Sequence, residues 1–194
     1  MIEEIKKLKP LELVFPNHLK ILCKLIIDSG IIESPIIADK KTGIILDGSH
    51  RYIFFLKHGY KEAVVKYIDY FDENIRVGTH LMHRHIIEKT SNISKEEVIK
   101  RGLSGNLFYP RTTRHFFPFR KNTFANISLI DLKKGKPRDV AQYIADVNIE
   151  DEILHNKKYI DEIDSEIDEI IKYLYEVRLT KAYLRKQIDR KSVV

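Results

Sequence analysis

Gly43-Ile44-Ile45-Leu46-Asp47-Gly48-Ser49-His50-Arg51-Tyr52-Ile53-Phe54-Phe55-Leu56-Lys57-His58-Gly59 is the stretch on which the reading of this chain turns. The apolar run Ile44 to Leu46 predicts a strand, Asp47-Gly48 breaks it, and the apolar segment closed by Gly59 predicts a helix. A strand, tight turn and helix in that order put Asp47 at the strand end and the first helical N–H groups beside Ser49, His50 and Arg51. Free N–H groups, the positive end of a helix dipole and a guanidinium together favour a bound anion, most often phosphate. A carboxylate beside that anion could hold Mg²⁺ or orient a hydroxyl. The plainer reading of the same residues is a corner in which Asp47 caps the helix and Arg51 is solvated.

Working outward, Glu3 to Lys9 predicts a short strand or helix, and Lys9-Pro10 an extended or turning element, because the residue before proline avoids the helical region. Asn17 is the expected N-cap of a helix whose face is Leu19, Leu22, Cys23 and Ile26 and whose end is Ser29-Gly30. Ile36-Ile37-Ala38 predicts a strand, Asp39 to Gly43 a hairpin turn, and Val64 to Ile68 the next strand. Thr79-His80-Leu-Met-His83-Arg-His85 holds three histidines. A metal site needs three or four convergent ligands, and Glu88 is the sole carboxylate nearby, so strand histidines are the simpler reading. Ser94 to Glu97 is a capping box opening a helix that stops at Gly102 or Gly105.

With 194 residues the chain can enclose a real core. Charge is spread through its first ten residues and no apolar run is long enough to span a bilayer, which predicts a cytoplasmic protein. Cys23 is the one cysteine, so no intramolecular disulfide forms, and its helical apolar neighbours predict a buried small hydrophobe. The formal net charge is +6. Arg101, Arg111, Arg114, Arg120, Lys121, Lys133, Lys134 and Lys136 stand against the single acid Asp131 in that segment. Such a stretch suits a nucleotide, a phosphorylated metabolite or nucleic acid, or is a solvated basic face.

Phe108-Tyr-Pro-Arg111-Thr112-Thr113-Arg114-His115-Phe-Phe-Pro118-Phe119 is the second stretch with chemistry in it. Two hydroxyls between two arginines, stiffened by prolines, are the parts of an oxyanion clamp; a packed hairpin with surface arginines is the alternative. Taken together and in this order, Lys9-Pro10-x-Glu12, Leu46-Asp47-Gly48-Ser49-His50-Arg51, Asp69-Tyr-Phe-Asp72, Lys95-Glu-Glu-Val98 and Pro110 to Phe119 resemble the free L-serine kinases. The resemblance runs from residue 1 to about residue 132. It implies an α+β, ParB/sulfiredoxin-like fold, a small mixed sheet with packed helices, over residues 1–136. It also implies phosphoryl transfer from ATP or ADP, with Mg²⁺, to the hydroxyl of free serine or a related amino acid. Glu12 corresponds to the general base, and Asp47 to the acid that assists the proton or the metal. Gly48, Ser49, His50 and Arg51 correspond to the phosphate-binding turn, and Arg111, Thr112, Thr113, Arg114 and His115 to the loop gripping the amino acid. His80 stands where those kinases have an aromatic, and the segment between His80 and Ser94 is shorter than theirs. No motif places a metal directly on the protein. The turn has Ser49 where a sulfiredoxin has its cysteine.

Residues 137–194 are of another kind. From Pro137 the chain reads as helical, and Ile160, Ile163, Ile167, Ile170, Leu174, Val177, Lys181, Leu184 and Ile188 follow a three-four alternation. The first half of this segment is acidic and the second basic, which suits an antiparallel pair of helices and predicts a homodimer through a coiled coil. The competing arrangement is a helix folded on its own domain. The functional alternative to a kinase is a ParB-like, CTP-dependent DNA-binding protein, for which Arg138 to Asp146 is the sole and weak helix-turn-helix candidate.

Overall fold

The structure is a computed structural model describing residues 1–79, 93–119 and 123–191. It divides into two compact units, Met1–Glu152 and Ile153–Val194.

The first unit is built on a four-stranded mixed sheet of β1 (Ile2–Glu4), β3 (Ile36–Asp39), β4 (Ile45–Asp47) and β5 (Glu62–Ile68), in the order β1-β5-β3-β4. β5 runs parallel to β3, and the two outer pairings, β1 with β5 and β4 with β3, are antiparallel. Side chains of β3 alternate between two cores. Ile36 and Ala38 join one cluster with Ile45, Phe54 and Val65, while Ile37 joins another with Ile44, Leu46, Tyr70 and Val98. A strand buried on both faces reads as an apolar run, as Ile36-Ile37-Ala38 does, and the buried Asp39 that ends it accepts from the Thr42 N–H and hydroxyl and the Tyr70 N–H.

Two helices supply the first cluster. In α1 (Pro16–Ser29) Leu19, Cys23 and Ile26 are buried, and the helix ends at Gly30 in the left-handed conformation. In α2 (Ser49–Lys57) five consecutive residues, Tyr52 to Leu56, are buried, and each large apolar side chain is worth roughly 2 kcal/mol. The other cluster takes Val98 from α3 (Lys95–Ser104). Two short pairings complete the unit, β2 (Ile31–Ile32) with β8 (Ile127–Ser128) and β6 (Arg76–Thr79) with β7 (Thr113–Phe116).

Several expectations change. Asn17 is not the N-cap of α1: the helix begins at Pro16 with Phe15 at the cap position, and the acceptors come from Glu152, whose oxygens take the N–H groups of Asn17 at 2.9 Å and His18 at 2.8 Å. Ser94 does accept from the Glu97 N–H at 3.2 Å, but the Glu97 carboxylate turns to Arg101 at 2.9 Å. The stretch after Pro137 is not helical until residue 149; it has one short turn, Ala141–Tyr143, with no helix-turn-helix. The expected boundary after Lys136 falls inside the first unit, because Val140 is buried in the first cluster and Ala145 donates to the Val14 carbonyl. The last helix, α4 (Ile149–Lys191), has 43 residues, about 65 Å of rise. Cys23 is free and buried as expected. His80, His83, His85, Glu88, Arg120 and Lys121 lie outside the described residues. Among those described, no helix is long and apolar enough to cross a membrane.

Gly102 lets α3 lie close to β4. A Cβ there would stand 2.6–2.9 Å from three side-chain carbons of Ile44, which is itself fully buried. Gly102→Ala is therefore expected to lower stability by about 1–3 kcal/mol despite alanine's better helix propensity, read as a lower urea midpoint at unchanged slope. Glu152→Ala, which strips α1 of its cap, should cost about 1–2 kcal/mol in the same assay while Glu150→Ala costs under about 0.5.

Candidate active site

Glu12 lies in an extended run that bridges Phe108, with Leu13 donating to the Phe108 carbonyl and Phe108 to the Leu11 carbonyl, both at 2.9 Å. This brings Glu12 under the start of β7. Its Oε1 accepts the Thr113 N–H at 2.6 Å and the Thr113 hydroxyl at 2.7 Å, and its Oε2 accepts the Arg111 N–H at 3.2 Å. Arg111 holds φ +60°, a left-handed conformation that a non-glycine residue seldom adopts. Such a conformation in a loop next to a half-buried carboxyl marks a site that the surroundings hold in shape. Burial pushes the Glu12 carboxyl up to about 7; the Thr113 and Arg111 hydrogen bonds pull against that rise, and the Asp47 charge adds to it.

Asp47 ends β4, and the turn behind it is Gly48 at φ +100°. A Cβ at Gly48 would sit 2.8 Å from Arg51 Nη2 and 3.2 Å from the Ile36 Cα, so glycine is required for the backbone twist and for the room. Arg51 folds back over this turn with Nη2 3.3 Å from Asp47 Oδ2. Its Nε is buried with no hydrogen-bond partner among the described residues. No side chain caps α2, so the N–H groups of its first turn have no side-chain acceptor, and Arg51 belongs to that same turn. An anion would satisfy both.

His50 takes part through its other end. Its Nε2 accepts the Phe15 N–H at 3.2 Å, so the ring is neutral with its proton on Nδ1. Burial pushes this imidazole down to about 3, with His18, Arg111 and Arg51 adding to the shift. The His18 ring packs edge-on at 4.4 Å, and burial with Arg111 nearby lowers its pKa too, against Glu152, which raises it. The Arg111 guanidinium lies 5.4 Å over the Phe15 ring, whose edge also meets Tyr109.

The fold thus gathers Glu12, Asp47, Gly48, Ser49, His50, Arg51, Arg111 and Thr113. Thr112 follows in the same loop, its N–H on the Tyr109 carbonyl. Arg114 lies on the opposite face of β7 from Thr113, its guanidinium 5.5 Å over Phe116. His115 is buried with its Nε2 2.9 Å from the Tyr70 hydroxyl. His18, Phe15 and Tyr109 were not legible as site residues, since a histidine in a helix's first turn and an aromatic before proline carry no motif. Among the described residues no group of three or more His, Cys, Asp or Glu side chains converges as a metal site. Asp47 is the carboxylate beside the Gly48 turn, and a single oxygen donor of that kind fits Mg²⁺.

No family model matches the chain. Over 80 residues it is 38% identical to an ATP-dependent L-serine kinase of Staphylothermus marinus and 32% identical to an ADP-dependent L-serine kinase of Thermococcus kodakarensis. The matched stretch is 39% of this chain and covers about a third of those relatives, 32% and 33%. Among solved structures, a free serine kinase variant in complex with ADP superposes with a TM-score of 0.59 at 18% identity, covering 69% of this chain and 93% of that one. SbnI of Staphylococcus aureus, truncated at its C-terminus, gives 0.53 at 12% identity over 84% and 95%. The chain has their fold.

The Glu12 environment is open to direct titration. Carboxyl-¹³C NMR should find its midpoint near 7, against an ordinary value of 4.5. Thr113→Val, which removes the hydroxyl holding the carboxylate down, should move the midpoint upward. A raised folded pKa means this group's contribution to stability is fully present below about 4.5 and lost as pH rises through about 7. A wild-type midpoint in the ordinary carboxylate range would show that Glu12 is wet.

Proposed function

We propose that the chain is a cytoplasmic phosphotransferase that moves the terminal phosphoryl group of ATP or ADP to the hydroxyl of free L-serine, or a closely related amino acid, giving O-phosphoserine. The observation that carries the reading is a carboxyl, Glu12, held by the Arg111 N–H and by the N–H and hydroxyl of Thr113 and pushed upward by burial, together with an arginine-bearing turn at an uncapped helix start. The activities of the serine kinases it is similar to point the same way.

Glu12 accepts the hydroxyl proton as the serine oxygen closes on the terminal phosphorus. The bond from that phosphorus to the nucleotide's bridging oxygen breaks, leaving ADP from ATP or AMP from ADP. A base with a pKa near the working pH is ionised often enough to act and basic enough to pull. Phosphoryl transfer otherwise asks for position and charge neutralisation. Gly48 and Ser49 give backbone N–H groups, Arg51 its guanidinium, and neutral His50 its Nδ1–H to the phosphates. Mg²⁺ bound to those phosphates would offset their charge, with Asp47 as its nearest carboxylate. Arg111, Thr112 and Arg114 are assigned to the amino acid, while Thr113 fixes Glu12 and His115, on Tyr70, fixes the strand that presents them. Beyond these ligands, the partner is a second copy of the chain, met antiparallel through the last helix. The DNA-binding alternative lost its one candidate when Arg138 to Asp146 proved non-helical.

Phosphorus NMR with Mg²⁺, L-serine and either ADP or ATP tests this. A phosphomonoester signal should grow in at least one tube, on an acid limb with a midpoint near pH 7. Glu12→Gln should slow it at least about 100-fold with nucleotide affinity little changed. Free phosphate alone, or turnover indifferent to Glu12→Gln, would sink the assignment.

A further inference from the structure

The last helix presents an apolar stripe to solvent. Ile160, Ile167, Leu174, Val177 and Leu184 are each between 43% and 56% exposed. Ile160, Ile167, Leu174, Lys181 and Ile188 recur every seven residues, and Ile163, Ile170, Val177 and Leu184 stand three further on, so the two sets occupy the a and d positions of one heptad frame. A stripe of this length left in water favours association.

Charge along the frame decides with what. Asp161, Glu162, Asp164, Glu166, Asp168 and Glu169 load one half, and Arg178, Lys181, Arg185, Lys186, Arg190 and Lys191 the other. Two parallel copies would set acid against acid, base against base, and Lys181 against Lys181 inside the seam. Two antiparallel copies bring opposite halves together, which leaves the choice of register. An antiparallel coil packs a positions of one chain on d positions of the other. One alignment matches Leu174 with Val177, Ile167 with Leu184 and Lys181 with position 170; as in any antiparallel register of this frame, no lysine meets a lysine. The same alignment brings Asp164 and Arg185, both at e positions, to one side of the seam, two residues out of direct opposition, and does so once on each side of the axis.

We infer that the occupant of this face is a second copy of the chain, docked antiparallel about a two-fold axis between Leu174 and Val177, with Asp164 of each copy paired to Arg185 of the other. This rests on the self-association stated above and deepens it by fixing the register and the polar contacts that select it. Each end of the seam then carries one such ion pair. Lys181 acts as the residue that penalises the parallel alternative, as a single polar a position does in other coiled coils.

A spin label at Asp161→Cys, in a chain whose one native cysteine is buried, measures the arrangement. Position 161 then faces position 190, so the two labels should lie roughly 45 Å apart, against under about 20 Å in a parallel pair. Light scattering gives the mass of the same sample. Two chains' mass with the long distance supports the inference; two chains' mass with the short distance overturns the register while leaving self-association standing; one chain's mass overturns both. Asp164→Arg and Arg185→Asp should each lower the dimer fraction, and the two together should restore it, a rescue that loss of helix alone would not produce. Failure of the double variant to recover would remove the pairing. Serine phosphorylation by these variants tests the kinase reading separately.

Discussion

Burial of β3 on both faces is the constraint on which the rest of the first unit depends. Ile36, Ile37 and Ala38 face two separate clusters, so helices or strands must cover each side of the sheet. α1 and α2 cover one side, and α3 with the Tyr70 and Phe117 region covers the other. The site follows from this sandwich. Asp47 pairs in register with Ile37, and Gly48 rests on the Ile36 backbone, so the turn carrying Arg51 is fixed by a strand buried along its whole length. A site on the end of such a strand inherits its rigidity.

How much of this the sequence revealed can be judged element by element. Local chemistry was legible: the turn Asp39 to Gly43, the glycine stop at Gly30, the Ser94 cap and the Asp47-Gly48 break each depend on residues within four positions of one another. What depends on partners far along the chain was not. The Glu12 carboxyl is bound by residues about a hundred positions away, and as a lone carboxylate after a proline it carries no sign of burial. The resemblance singled it out; the geometry supplies the reason. Glu152 was hidden for a related cause. In an acid-rich stretch it looked like any first-turn carboxylate, yet it is 1% exposed and closes the start of a helix more than a hundred residues earlier. Asn17 looked like the cap because the competition between a local side chain and a distant carboxylate cannot be read from one segment. The apolar, charged stretch from Pro137 was read as helix because composition there was helical, whereas its residues pair with the extended run around Val14.

The two carboxylates Asp47 and Glu12 differ in their surroundings. Asp47 faces a guanidinium, the Arg51 group at 3.3 Å. Glu12 is met by N–H groups and a hydroxyl, neutral donors that orient it without supplying a full positive charge. Burial therefore dominates, and the group titrates near neutrality instead of staying ionised as a weak base. Thr113 is the fine adjustment, since its hydroxyl and N–H both oppose the rise that burial imposes.

The histidine completes the electrostatic argument from the opposite sign. His50 is held neutral at about 3 by burial and by His18, Arg111 and Arg51 around it, so the site contains positive charge that its own imidazole cannot join. An anion arriving there would relieve that repulsion and strengthen the Nδ1–H as a donor, while the Phe15 N–H keeps Nε2 in the acceptor state. The same Phe15 stands at the head of α1, whose next two N–H groups are taken by Glu152. With α1's end already neutralised by a protein carboxylate, the uncapped start of α2 is the helix terminus left to face a ligand, and the guanidinium of Arg51 is on that side. Positive charge and uncapped N–H groups are thereby gathered at the α2 turn, while the carboxyl pushed up to about 7, Glu12, is held by the loop that leads into β7.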